Sequence, residues 1–181
     1  MSSRPAIPIA VLILTLIGAS GEALAKVFHS QQEALALAFP HADRVDSKTH
    51  ILGEKQVTAI ESLSRSVVET RLVTIYTGWR GDELLGYAHI GVHTVRTKAE
   101  GLMIVLGPHG VVREVRILAF HEPLEYLPQK RWYLGFAGKT GADGVRVGRD
   151  IDAVAGATLS TRAAAEGVRR MLAYWKVLLS A

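Results

Sequence analysis

Leu102-Met103-Ile104-Val105-Leu106-Gly107-Pro108-His109-Gly110-Val111-Val112-Arg113-Glu114-Val115-Arg116-Ile117-Leu118 reads as two strands joined by a tight turn. Leu102–Leu106 and Val111–Leu118 flank Gly107-Pro108-His109-Gly110, a turn signal strong enough to set a hairpin. Working towards the N-terminus, Leu84 to Val95 alternates Ala88, Ile90 and Val92 against Tyr87, His89, Gly91 and His93. Before it, Glu69 to Trp79 is rich in β-branched residues (Thr70, Val73, Thr74, Ile75, Thr77), and Arg80-Gly81-Asp82 makes a turn. These are four consecutive strands. Connections this short make neighbours antiparallel.

Helices are expected on both sides of this run. Ser30 precedes Gln31-Gln32-Glu33-Ala34-Leu35-Ala36-Leu37-Ala38-Phe39, with Glu33 completing a capping box and Pro40 as the stop. A second helix is expected over Glu54 to Ser64, with Val57, Ile60 and Leu63 on one face. Beyond Phe120 lies a Pro-flanked loop, His121 to Pro128. A short helix holding Trp132, Leu134 and Phe136 follows, then a glycine-rich basic stretch from Gly138 to Gly148. The last helix should run from about Thr161 to Leu179. Ala164, Val168, Met171, Leu172, Trp175, Leu178 and Leu179 share its apolar face; Arg162, Glu166 and Arg170 form i,i+4 charge pairs on the other. The fold class that follows is α+β, an antiparallel sheet flanked by helices.

The chain of 181 residues suits one domain. Its first residues read separately. Arg4 supplies a weak positive n-region, Ala6 to Ala19 is an apolar run, and Ala23-Leu24-Ala25 offers a small-x-small cleavage site. This is the pattern of a secretory signal peptide over residues 1–25, leaving 26–181 as the domain. The alternative is an uncleaved anchor that keeps the protein membrane-associated; against it, the run is short of the roughly 20 apolar residues a spanning helix needs, and Pro8 interrupts it. There is no twin arginine, so the general secretory route is expected, with the mature chain in the periplasm or otherwise outside the cytoplasm. That route passes unfolded chains, so any cofactor is added outside.

The chain contains 0 cysteines. Disulfides, thiolate metal sites, cysteine-held iron–sulfur clusters and c-type haem attachment are thereby excluded. Redox chemistry, if present, needs a cofactor held without thiols. The net charge is +4, and removing residues 1–25 takes away Arg4 and Glu22 and leaves it unchanged. No basic stretch is interleaved with aromatics, so nucleic-acid binding has no support.

One further stretch carries chemistry: Asp152-Ala153-Val154-Ala155-Gly156-Ala157-Thr158-Leu159-Ser160-Thr161, at a loop-to-helix junction. A helix N-terminus offers free N–H groups and a positive dipole end to a phosphate. Small residues at Gly156 and Ala157 let backbone and phosphate approach closely. Taken alone, a Gly-Ala-Thr-x-Ser stretch is also an ordinary N-cap region.

This stretch resembles the flavin-attachment sequence of the FMN-binding domain family, which includes periplasmic subunits of the Rnf complex and of sodium-translocating NADH:quinone reductase. Asp152, Gly156, Ala157, Thr158 and Ser160 match the pattern. Ala155 stands where the family has a hydroxyl residue. Leu85-Gly86-Tyr87, His121-Glu122-Pro123 (which lacks the Thr of the family's Glu-Thr-Pro), Trp132 and Phe136-Ala137-Gly138-Lys139 also resemble family features, so the likeness spans roughly residues 84 to 170 of a single domain. The resemblance implies an FMN carried as a phosphoester on Thr158 and placed there from FAD by a separate flavin transferase. It also implies electron transfer to a redox partner such as a cytochrome or a membrane electron-transport complex. The cofactor-binding set it gives is Thr158, Gly156, Ala157, Ser160, Asp152, Thr161, Glu122 and Lys139, with no catalytic residue and no metal ligand. The chain is thus more an electron carrier or redox subunit than a stand-alone enzyme. The departure at Ala155 leaves two other readings open: a carrier with non-covalent FMN, and a non-redox binding module of the same fold. Tyr126, Trp132, Tyr133 and Phe136 are candidates either to pack on the flavin or to fill the core. Arg146 and Arg162, with Lys139, are candidates to pair with phosphate or to be solvated surface charges.

Other signals fail. His89 and His93 have an H-x-x-x-H spacing, but four residues of strand span about 13 Å. They are expected as exposed positions on one sheet face. Gly138-Lys139-Thr140 lacks the earlier glycine of a phosphate loop, since position 133 is Tyr133.

Overall fold

The expected hairpin supplies the second and third strands of a six-stranded antiparallel sheet of order β1-β6-β5-β4-β3-β2. The computed structural model describes residues 26–180; the leader expected over residues 1–25 lies outside them. The strands are β1 (Lys26–Val27), β2 (Arg44–Ile51), β3 (Leu72–Arg80), β4 (Glu83–Thr94), β5 (Ala99–Leu106) and β6 (Val112–Phe120). The helices are α1 (Gln31–Ala38), α2 (Glu54–Ser64) and α3 (Thr158–Tyr174). The fold is α+β.

Between β5 and β6 the turn closes through Gly107 N–H to the Val111 carbonyl at 2.8 Å and Gly110 N–H to the Gly107 carbonyl at 3.0 Å. Gly110 has φ +74°, and a Cβ there would stand 2.5 Å from the Trp175 ring. Backbone conformation and packing both require the glycine.

The two faces of the sheet have separate cores. Met103, Val105, Ala88 and Leu118 pack against Ala34, Ala38 and Phe39 around α1. Leu102, Ile104, Leu106, Val73, Ile75 and Val115 lie under α2 and α3 with Ile60, Ala164, Val168 and Met171. α1 begins as expected: Glu33 N–H donates to Ser30 Oγ, and Glu33 Oε2 accepts from the Ser30 amide at 2.8 Å.

Several expectations need correction. β1 and β2 were not expected. β2 is exposed along nearly its whole length and carries no apolar alternation, yet pairs with β3 from Arg44↔Trp79 to Ile51↔Leu72. An edge strand with solvent on both faces has no periodic signature. The helix around Trp132 is 3₁₀, over Lys130–Phe136. α3 starts three residues earlier than expected, at Thr158, and its last turn is a π-helix over Trp175–Leu179. Arg170, expected on a solvent face, is only 8% exposed and bonds Glu166 at 2.5 Å, because α2 covers that side of α3.

His89 and His93 do share a sheet face, but α3 covers them. His89 donates from Nδ1 to the Thr74 carbonyl at 2.9 Å and meets the Tyr174 ring edge-on at 5.3 Å. His93 Nε2 is buried against Gly167 without a hydrogen-bond partner among the described residues. Both Nε2 atoms lie within 3.4 Å of the point a Gly91 Cβ would occupy, so the two rings fill the space that glycine leaves. Burial lowers the pKa of both, that of His93 to about 4.

Candidate functional site

α3 opens without a side-chain cap. Gly156, at φ +80°, turns the chain in the left-handed region, and Ala157 is the N-cap residue with no side chain able to accept a bond. The first helical amides therefore face outward with the positive end of the helix dipole. They border a shallow hollow of about 220 Å³ lined by Gly156 to Ser160, Tyr126 and Arg96.

Three hydroxyls stand together here, in different states. Ser160 is 1% exposed and donates from Oγ to the Tyr126 carbonyl at 2.6 Å. Thr161 is 0% exposed and donates from Oγ1 to the Thr158 carbonyl at 2.9 Å. Thr158 is exposed, and its hydroxyl has no hydrogen bond among the described residues. Ser160 staples the 3₁₀ turn Leu124–Tyr126 onto α3, Thr161 tightens the first helical turn, and Thr158 is left free.

Arg96 comes from the β4–β5 turn. Its guanidinium lies 4.7 Å from the Tyr126 ring centroid, a cation–π contact at the mouth of the hollow. Glu122 holds that turn in place. Its Oε1 accepts the amides of Thr97 at 2.7 Å, Lys98 at 2.9 Å and Arg96 at 3.2 Å. The Thr97 amide first, then those of Lys98 and Arg96, hold the Glu122 carboxyl below the usual carboxylate range.

The expected site residues are thus only partly gathered. Gly156, Ala157, Thr158 and Ser160 line the hollow, with Thr161 directly beneath. Glu122 reaches it through the backbone of Arg96. Asp152 is exposed at the rim of an adjacent hollow with Trp132 and Arg131, and its carbonyl accepts the Trp132 indole N–H at 2.8 Å. Lys139 pairs through its backbone carbonyl with the Val112 amide at 2.8 Å, at the opposite end of β6 from Glu122. Tyr133 and Phe136 are core residues. Trp132 meets both rings edge-on, and Tyr126 alone of the four aromatics lines the hollow. Arg96 had no sequence signal. Its turn lies far along the chain from Thr158, and only the packing of α3 along β4 brings them together.

The model of the FMN-binding domain family matches residues 97–173. The matched segment runs from the β4–β5 turn to the end of α3 and contains Glu122 and the whole of Asp152–Thr161; Leu85-Gly86-Tyr87 lies outside it. Among solved structures, that of Shewanella oneidensis NqrC is similar at 15% identity and a TM-score of 0.43, covering 83% of this chain and 72% of that one. No curated protein matches. Among the described residues, no three His, Cys, Asp or Glu side chains are gathered to hold a metal ion, and no helix is long and apolar enough to cross a membrane.

Proposed function

We propose that this protein is an exported electron carrier with FMN bound through a phosphoester to Thr158. The observation that carries the reading is the contrast among the three hydroxyls: Thr158 is the one both exposed and unbonded. The family match supplies the FMN. The leader pattern of residues 1–25 supports export to the periplasm.

The residues fit a phosphodiester at this place. The Thr158 oxygen replaces the pyrophosphate link of FAD. Thr158 would supply its Oγ1 to the phosphoester, with AMP released from FAD and the hydroxyl proton passed to the transferase. The remaining negative charge faces the first-turn amides of α3 and the Arg96 guanidinium, a charge-assisted pairing. Tyr126 offers an aromatic face beside it. Bound FMN supplies one- and two-electron redox chemistry. The protein's own part is to hold the phosphate by a covalent bond, which keeps effective concentration high where free flavin would diffuse away. With the hollow shallow and open, the electron partner is expected to be a second redox protein, a cytochrome or a membrane electron-transport complex.

The test is co-expression with a periplasmic flavin transferase and FAD, then in-gel fluorescence after denaturation and peptide mapping by mass. Thr158→Ala should lose the adduct. An adduct that survives in that variant would overturn the assignment. Flavin present in the native protein but released on denaturation would establish non-covalent binding in its place.

A further inference from the structure

We propose that the groove between α3 and the loop 141–147, at the C-terminal end of α2, is a second binding site, for an organic anion with an apolar body held by a phosphate or carboxylate group. Two hollows, of about 390 and 330 Å³, share Arg65 and Arg169 as a common wall. Together they have the size of a small-molecule site.

The larger hollow is apolar at one end, where Leu63, Leu172 and Trp175 line it. Leu63 is 51% exposed although it lies on the apolar stripe of α2. The smaller hollow adds Arg146 and Arg162, and the larger adds Lys176. Two of the acids nearby are paired, Asp150 with Arg146 at 3.3 Å and Glu166 with Arg170 at 2.5 Å, while Asp143 accepts from the Thr140 amide and hydroxyl and keeps its charge. Among the described residues, Arg65, Arg162 and Lys176 have no carboxylate partner within ion-pair distance.

Arg169 is oriented from behind. Its Nε donates to the Ser64 carbonyl at 2.8 Å and its Nη1 to the Val145 carbonyl at 3.0 Å. Burial works against its charge, Glu166 partly offsets that, and Arg65 and Arg170 add to it. The backbone here is also strained. Val145, at φ 45°, is buried behind the groove and offers its carbonyl to Arg169, while Arg65, at φ 56°, closes α2 as its left-handed C-cap. A β-branched residue in that region persists only when its surroundings hold it there. Arginines and a lysine thus outnumber the two lining acids, Asp143 and Glu166, around a space with an apolar end. Guanidinium forks match carboxylate and phosphate oxygens, and Trp175, Leu63 and Leu172 match an aromatic or aliphatic body.

This site is distinct from the hollow at Thr158, and its test separates the two. The mature full-length protein is titrated calorimetrically, at fixed ionic strength, with phenyl phosphate and with inorganic phosphate. Phenyl phosphate should bind, and inorganic phosphate more weakly. Arg65→Ala with Arg162→Ala, both exposed, should weaken phenyl phosphate binding about 10- to 100-fold, as expected when charge-assisted bonds are removed. An unchanged far-ultraviolet circular dichroism spectrum checks that this variant folds. Absence of phenyl phosphate binding, or equal binding in the arginine variant, as binding at the Thr158 hollow would give, would each overturn the proposal.

Discussion

Glu100 lies wholly inside the protein, and replacing it with Gln should change how stability depends on pH. Its Cα is registered with that of His93 on β4 and Phe120 on β6, so its carboxyl shares the α3-side face with His93. It is 0% exposed, and neither oxygen has a hydrogen-bond partner among the described residues. Burial alone raises its pKa to about 8, from an ordinary 4.5. Between those values the folded protein binds a proton that the unfolded chain has released. Stability then falls as pH rises, by at most about 1.4 kcal/mol per pH unit. His93 acts in the opposite sense: unfolded it takes a proton below 6.5, folded only below about 4, so its contribution makes stability rise with pH across that window. His89 is shifted in the same direction. Below pH 6.5 the histidines therefore offset Glu100; above it Glu100 acts alone. From pH 6.5 to 8 the loss is of the order of 2 kcal/mol. Urea unfolding at half-unit steps from pH 5.5 to 8.5 should show the parent most stable near 6.5 and declining above, with Glu100→Gln flat over that decline. Parallel profiles for the two proteins above pH 6.5 would refute the reasoning.

Ser160→Ala should cost about 1 kcal/mol in urea unfolding, for the lost bond to Tyr126, while Thr158 is still flavinylated. Glu122→Gln should speed amide exchange at Thr97 and Lys98 and slow flavin loading, because Arg96 is no longer held beside Thr158. As the Glu122 carboxyl is held low, its support should be present above pH 4.5 and lost as pH falls through its folded pKa, a loss the Gln variant does not show. Gly110→Ala should lower stability by about 1–3 kcal/mol, from backbone strain and contact with the Trp175 ring, read as a lower melting temperature.

The central sheet was legible because its strands combine apolar content with punctuation: Gly107 to Gly110 and Arg80-Gly81-Asp82 mark turns that the structure uses. The loop-to-helix junction before α3 was legible because a family pattern and the helical period of α3 met at one place. Other features lack a linear signature. β2 reads as polar coil because solvent lies on both its faces. His89 and His93 look like a solvent face until α3 is laid over them, and the burial of Glu100 follows from the same packing. Arg96 joins the site only through tertiary contact, and Lys139, which matched by sequence, lies at the other end of β6. The separate states of Ser160, Thr161 and Thr158 depend on partners as distant as the Tyr126 carbonyl.

Both rims of the sheet are unattractive to a further strand. β2 sets Arg44, Asp46 and Lys48 along one side of its free edge, and solvating those charges opposes pairing with a neighbour. At the other rim β1 is only two residues long. The amides of Phe28 and His29 already bind the Leu118 carbonyl, and Gly138 and Lys139 close off the backbone of Val112. Copies crowded together find little template for edge-to-edge growth. Their encounters fall instead to loops and helix ends, where Thr158 stands exposed.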